Sequence, residues 1–499
     1  MPPAIPDLPL IDGQAPMIVH LSAEYFPYAR TGGLAEASRG LHRFQHLRGR
    51  ATMAMLPLYR SARAHLGQLE AVGEPYTLDF GGRRESFRLL RAIDPASGTP
   101  TCFIEHEGFF AREGIYGEGG QDYPDNPRRF AAFAAAAVAA LPKLTSGPVI
   151  LHAHDWHASL AAVYLRRWWG GDRWFDRIPV ALSVHNGGYQ GHFPADTVAD
   201  IGLPGWLFNP DHLEWYGKTN FLKGGLTHAD VATTVSPNHA RELCTDAGGF
   251  GLQAVYRALG DRFTGVLNGI DQVAWDPRTD PQIAERYAPD SLDGKRACKA
   301  ALQQRFGLPV NQFVPVVALA GRLVTQKGLD KIVHNHTLFH LAAQFVFMGS
   351  GERRYEDALH HLRHAMPHRV GYEPRFTDDV EHQIMAGADI FLMPSQYEPC
   401  GLTQMRAQRY GTIPVARRVG GLADTIDDSQ TGFLFDAFEE RAVTGALWRA
   451  LLEHSSEASW REMQRTAMSR DFGWDRVADR YVEIYHLGAR HRAAMLGGG

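Results

Sequence analysis

The chain has 499 residues, of which 44% are hydrophobic and 21% charged, enough ordinary globular material for two or three domain-sized cores. A formal net charge of −4 excludes the strongly basic face that nucleic-acid binding requires, so any phosphate the protein takes is expected on a small molecule. Cys102, Cys244, Cys298 and Cys400 form no C-x-x-C pair and indicate neither a disulfide framework nor a zinc ribbon, which fits a reducing cytoplasm. The start shows no basic, apolar leader, and the longest apolar run, residues 130–141, is too short to span a membrane.

Residues 1–16 contain five prolines and predict a loosely held tail. Residues 17–24 (MIVHLSAE) predict a buried strand leading to Arg30-Thr31-Gly32-Gly33-Leu34, a glycine turn ahead of a helix. That shape suits a phosphate at the carboxyl end of a strand, and equally a tight turn that lets helix pack on strand. Residues 61–127 hold strand-like pieces and a turn-rich patch at 116–120, to which no chemistry is assigned. An alanine-rich helix over 128–144 is followed by a strand over 149–155 that runs into His154-Asp155-Trp156-His157. On a strand His152 and His154 share one face while His157 lies past the end, and no carboxylate or cysteine completes a zinc set, so no metal is expected. Strands over 180–186, 231–236 and 263–269 also end in polar residues. Such a series predicts a parallel sheet covered on both faces, with His154, Asp155, His185, Asn186 and Asn268 gathered along its carboxyl edge. Each histidine fits a local hydrogen bond as well as a function.

A boundary is expected over 270–296, after which a second series begins. A strand over 314–322 leads to Arg322 and then Gln326-Lys327-Gly328; strands over 345–351, 390–393 and 413–416 follow. Glu398 falls at the turn between the third of these strands and a helix. The free N–H groups of such a turn, at the positive end of a helix dipole, suit an anion; the alternative is that glycine and proline merely punctuate an α/β fold. Two doubly wound α/β domains in tandem are therefore expected, with a ligand between them.

Six segments in order carry a resemblance: RTGGL at 30–34, HAHDWH at 152–157, SVHNGGYQGHF at 183–193, NGID at 268–271, GRLVTQKG at 321–328 and EPCGLTQ at 398–404. Together they resemble the bacterial glycogen synthase and plant starch synthase family over roughly residues 17–490. The resemblance implies a GT-B fold of two Rossmann-like domains facing across a cleft, over 17–270 and 271–473, with residues 474–499 as a helix packing back on the first. It implies a retaining transferase that moves glucose from a nucleotide sugar, usually ADP-glucose in bacteria, to the non-reducing 4-hydroxyl of an α-1,4-glucan. No metal cofactor and no nucleic-acid or membrane partner are expected. By position, Arg322 and Lys327 match the pair that holds the donor diphosphate and Glu398 the carboxylate at the glucose hydroxyls. His185 and Asn268 match sugar contacts, Asp155 a structural or electrostatic helper, and Tyr372 a position near the adenine. Backbone around Arg30, Gly32 and Gly33, and the turn of Cys400, Gly401, Leu402 and Thr403, would meet phosphate. Three positions depart from the family pattern: Arg30 stands for lysine, Glu36 for aspartate, and Arg406 for a second glutamate, so no ribose role is carried to Arg406. The same fold using UDP-glucose or another acceptor, and a catalytically idle glucan-binding relative, are the alternatives; a diphosphate clamp has no use in the latter.

Overall fold

The computed structural model describes residues 7–94 and 97–497. Two compact units are present, Met1–Gly269 together with Trp474–Gly499, and Ile270–Gly473.

The first unit is built on a ten-stranded sheet whose seven parallel strands run in the spatial order Phe263–Gly265, Val231–Thr234, Val180–Val184, Val149–His154, Met17–Leu21, Thr52–Pro57 and Pro100–Glu105. Numbered along the chain this is 7-6-5-4-1-2-3, the doubly wound order in which the sequence reverses direction between strands 1 and 4. Arg83–Ile93 extends the sheet antiparallel to Pro100–Glu105 and carries the hairpin partner Tyr76–Phe80, which resolves the strand-like pieces of residues 61–127. Helices cover both faces, so residues of both alternations are buried and the strands are apolar throughout. On one face Val19, Leu21, Leu151 and Ala153 join the main core with the helix Asn126–Leu144, whose alanines 131–132 and 134–137 are fully buried. On the other, Ile18, Ile150, Ala181 and Val231 meet Leu41 of the helix Gly33–Leu47 and Trp474, Tyr481, Val482 and Tyr485 of the final helix Trp474–Gly497. The final helix belongs to this unit because Trp474, Ala478, Tyr481 and Tyr485 recur every three or four positions and form one apolar stripe.

The loosely held tail falls partly outside the described residues. From Asp7 onward the segment is held, contrary to that expectation: Leu8 is 6% exposed in the cluster with Ile18 and Leu41, and the Asp7 carbonyl meets the ring of His486 at 2.9 Å. A single leucine among prolines suffices when a sheet leaves an apolar edge to fill.

The second unit has six parallel strands in the order Val370–Glu373, Gln344–Met348, Val316–Ala320, Ile390–Met393, Ile413–Arg417 and Phe433–Phe435. Along the chain that is 3-2-1-4-5-6, so its reversal also lies between strands 1 and 4. The α/β expectation of two doubly wound Rossmann-like domains, the GT-B class, describes the chain. Phe433–Phe435 had no sequence signal, since three apolar residues carry no period. No helix among the described residues is long and apolar enough to cross a membrane.

Candidate active site

In the second unit, two loops leave the carboxyl ends of the strands flanking the reversal, Val316–Ala320 and Ile390–Met393, and they are stitched to each other. Gln396 N–H donates to the Gln326 carbonyl at 2.7 Å, and the Gln326 amide donates to the Tyr397 carbonyl at 3.1 Å. The approach is so close that a Cβ at Gly328, where φ is +75°, would stand 2.1 Å from the Pro394 carbonyl oxygen. The stitching brings Lys327 Nζ to 2.5 Å from Glu398 Oε2, an atom that also accepts from the Ser395 hydroxyl at 3.1 Å. The Glu398 side chain is 9% exposed and that of Lys327 26%, a pair with one open flank. A third loop locks the turn from behind: Gly420, at φ +45°, lies against the Glu398 carbonyl, where a Cβ would come within 1.9 Å.

Arg322 is exposed, and its guanidinium has no partner among the described residues. After Glu398 the chain turns through Gly401, at φ +69°, into the helix Thr403–Arg409. The N–H groups of Gly401, Leu402 and Thr403 donate to no described residue. Beside the buried Cys400, this turn therefore offers backbone donors three residues after Glu398 and its Lys327 partner, the chemistry that holds an anion.

The first unit presents the same two strand ends with different groups. After Met17–Leu21, Glu24 accepts from Thr31 N–H at 2.7 Å, Thr31 Oγ1 at 2.6 Å, Gly32 N–H at 3.1 Å and the Tyr116 hydroxyl at 2.6 Å. The glycine turn thus already holds a carboxylate of its own, and of its donors Gly33 N–H is left without a described partner. Arg30 is paired with Glu36 at 3.2 Å and lies over the Phe26 ring. Two of the three departures from the family pattern therefore answer each other.

Asp155 follows Val149–His154 with φ +58°, a left-handed conformation that a non-glycine residue keeps only when its surroundings hold it there. What holds it is its own carboxylate, which accepts from His185 N–H at 2.6 Å and Asn186 N–H at 3.3 Å and so ties the end of strand 4 to the end of strand 5. Burial pushes its pKa up to about 7, against the lowering effect of those two N–H bonds. The His185 ring meets His154 at 2.9 Å. Asn268 is buried, and its amide has no partner among the described residues.

Tyr372 is 3% exposed in the core of the second unit and donates to the Gly349 carbonyl at 3.1 Å, so its hydroxyl is already engaged. Arg406 turns inward, donating to Glu381 at 2.9 Å and lying over the Trp275 ring at 4.3 Å, a buried cation paired with a carboxylate and a π-face. The histidines group as the strand alternation implies for His152 and His154, with a third member from the neighbouring strand. His20 joins His152 and His154, with ligand atoms within 4.8 Å of one another, while His157 stacks on Tyr116 instead. Sequence reasoning missed Glu24, Ser395 and His20. Glu24 and Ser395 each lie within three residues of a strand end, a position that is itself the signal; His20 looked like a core strand residue.

A family profile described as "Starch synthase catalytic domain" matches residues 17–258, and one described as "Glycosyl transferases group 1" matches residues 302–467. A glycogen synthase of Syntrophotalea carbinolica is 39% identical over 475 residues, covering 94% of this chain and 98% of that protein. A glycogen synthase of an Anaeromyxobacter species is 40% identical over 477 residues, with the same shares covered. The solved catalytic domain of starch synthase IV from Arabidopsis thaliana, bound to ADP and acarbose, superposes with a TM-score of 0.86 at 31% identity, covering 96% of this chain and all of that one.

Proposed function

From the premise that this chain belongs to the glycogen and starch synthase family of glycosyltransferases, we propose that it transfers glucose from ADP-glucose to the non-reducing 4-hydroxyl of an α-1,4-glucan, with retention at the anomeric carbon. One observation carries the reading: the strand-1 and strand-4 loops of the second unit set Lys327 on Glu398, the first loop also carrying the unpartnered Arg322 and the second the unpartnered N–H groups of Gly401 to Thr403. Cation, carboxylate and backbone donors in that grouping match the two halves of a nucleotide sugar.

In the reaction, the bond from the anomeric carbon to the diphosphate oxygen breaks and its electron pair goes to the leaving ADP. Arg322, Lys327 and the turn at 401–403 stabilise that growing charge. The sugar gains oxocarbenium character, and Glu398 holds its hydroxyls and opposes its positive charge. The acceptor oxygen forms the new bond on the face the diphosphate leaves, and its proton departs with the diphosphate. Asp155 fixes the backbone at His185 and Asn186, and His185 and Asn268 contact the sugar. Fixed cations replace a divalent ion, so no metal takes part. The ADP bound to the solved starch synthase IV catalytic domain supports the ADP-glucose choice over UDP-glucose, and four free cysteines support a cytoplasmic setting.

The test compares kcat/KM for ADP-glucose and UDP-glucose on maltooligosaccharide, with and without EDTA, and digests the product with an enzyme specific for α-1,4 ends. ADP preference, EDTA resistance and full digestion are expected. A UDP preference, a loss restored by Mg²⁺, or a β-linked product would each overturn the corresponding part.

A further inference from the structure

The alternation of the parallel strands places a polar row directly after an apolar one on the face covered by Gly33–Leu47 and Trp474–Gly497. Ile18 is aligned with Ile150, and two residues on His20 is aligned with His152, His152 with Ala181 and His154 with Ser183. The row is fully buried, so each nitrogen in it must find a partner, and each does. His20 Nε2 lies 2.9 Å from Gln45 Oε1, His20 Nδ1 lies 3.1 Å from His154 Nε2, and His154 Nδ1 lies 2.9 Å from His185 Nε2. A side branch returns to the start: the Gln45 amide nitrogen donates to the Tyr485 hydroxyl at 3.1 Å, Tyr485 meets His152 Nδ1 at 2.9 Å, and His152 Nε2 meets Ser183 Oγ at 2.7 Å.

The proton positions follow from one end. The Gln45 oxygen faces His20, so His20 carries its proton on Nε2. Burial pushes the pKa of His20 down to about 4 and those of His152 and His154 well below the ordinary value, and these rings are neutral at pH 7. A neutral ring that donates at one nitrogen accepts at the other. His154 therefore donates from Nε2 to His20, and His185 donates from Nε2 to His154. The His185 Nδ1 is left as a bare acceptor on a partly exposed residue, and it has no partner among the described residues. His20, His154 and His185 then hold their protons on Nε2, which is also the tautomer a free histidine side chain favours in water. Because the chain ends on an amide, which takes no proton at neutral pH, it orients a ring and shuttles nothing.

We propose that His20, His154 and Gln45, none of which touches substrate, are positioning residues: the chain they form locks His185 in the Nε2-protonated form, so that its Nδ1 accepts the proton of a hydroxyl on the bound sugar. The last clause rests on the glucosyl-transfer reading; the tautomer lock does not. A metal at His20, His152 and His154 is the rival use of the same rings. It would have to break hydrogen bonds that already satisfy all six nitrogens, and the row contains no carboxylate to offset the ion's charge.

The test is ¹⁵N NMR of the full-length protein with labelled histidine, His185 being assigned by its loss in His185→Ala. Nδ1 of His185 should be unprotonated at pH 7 in the free enzyme, and its signal should shift on adding ADP-glucose but not on adding ADP alone. His20→Phe removes the acceptor for His154; His185 should then populate both tautomers, and kcat/KM for ADP-glucose should fall about 5- to 10-fold while the Kd of ADP is unchanged. His20→Gln, which restores an amide oxygen, should recover most of the loss. A proton on Nδ1 of His185 in the natural protein, an unchanged His185 signal in a folded His20→Phe, or stoichiometric Zn²⁺ binding that displaces the histidine signals would overturn the proposal. If His20→Phe does not fold, the spectrum of the natural protein decides alone. Absence of transfer from any nucleotide sugar would overturn the functional reading, and the tautomer measurement would still stand.

Discussion

The two units use one topology and fill it in opposite ways. Each has its chain reversal between strands 1 and 4, and in each the loops after those strands hold candidate residues, His185 and Asn268 of the first unit following strands 5 and 7. In the first unit the strand-1 turn is satisfied by the protein itself, with Glu24 on Thr31 and Gly32 and Arg30 on Glu36, and the strand-4 end is a buried, neutral histidine row. In the second unit the same places hold an unpartnered arginine, a Lys327–Glu398 pair open on one flank, and unpartnered N–H groups. A strand end that already holds a carboxylate disfavours a second anion nearby; one with surplus positive charge invites it. What the comparison shows is positive charge and N–H donors left over at the strand ends of the second unit, against a strand-1 turn already satisfied in the first.

The largest effect should come from Glu398→Gln, which removes the carboxylate but leaves the cations. With the sugar beside this turn, kcat falls by on the order of 10²-fold or more and ADP affinity is not weakened, because Lys327 loses only a competitor for phosphate. Steady-state rates with ADP calorimetry measure both, and near-normal turnover with lost ADP binding would put the sugar elsewhere.

Lys327→Ala and Arg322→Ala test the surplus charge itself. Each should weaken ADP binding and lower kcat together, by roughly 10- to 100-fold, the size of one charge-assisted hydrogen bond. If ADP bound equally well to both variants, the diphosphate would not lie at this strand end.

Acid should separate the units. In the first, burial lowers the pKa of His20 and His228 to about 4, of His157 and His185 to about 3, and of His42, His152 and His154 well below normal. A base depressed in the folded state binds its proton more readily when unfolded, so this stability is complete above pH 6.5 and is lost as pH falls toward 4. Asp155, raised to about 7, acts in the other direction over the same window, one group against seven. In the second unit burial opposes the ionised forms of Asp276, Asp280 and Asp389, yet Arg278, the His382 and Tyr410 hydrogen bonds, and Lys299 with His454 respectively hold them low. Their contribution is present above about pH 4 and is lost below it. Between pH 7 and 5 the first unit should lose on the order of several kcal/mol, about 10 °C in Tm, before the second responds. Hydrogen exchange read on peptides of each unit follows this, and earlier loss in Ile270–Gly473 would contradict it.

The smallest effect is expected at Arg30. Its guanidinium is held by Glu36 and is partly solvent-exposed, so Arg30→Ala should change ADP affinity by less than about 3-fold and stability by under about 1 kcal/mol. A loss as large as that of Lys327→Ala would mean the first unit also binds the diphosphate.

Most of the parallel strands, the glycine turns and the residues at strand ends were legible in the sequence, because apolar runs, turn residues and motif spacing are local properties of the chain; Phe433–Phe435 was not. Arg322, Lys327, Glu398, Asp155 and His185 could be named from those patterns. What only the tertiary structure decided was how these residues are satisfied. Gln45 meets Tyr485 across 440 positions, His20 meets His154 across 134, Tyr116 meets Glu24 across 92, and Lys327 meets Glu398 across 71. Arg406 turned inward to Glu381 and Tyr372 into a core for the same reason. A hydrogen bond requires two groups within about 3 Å at a fixed angle. That condition is set by sheet register and helix packing, which no run of neighbouring residues encodes.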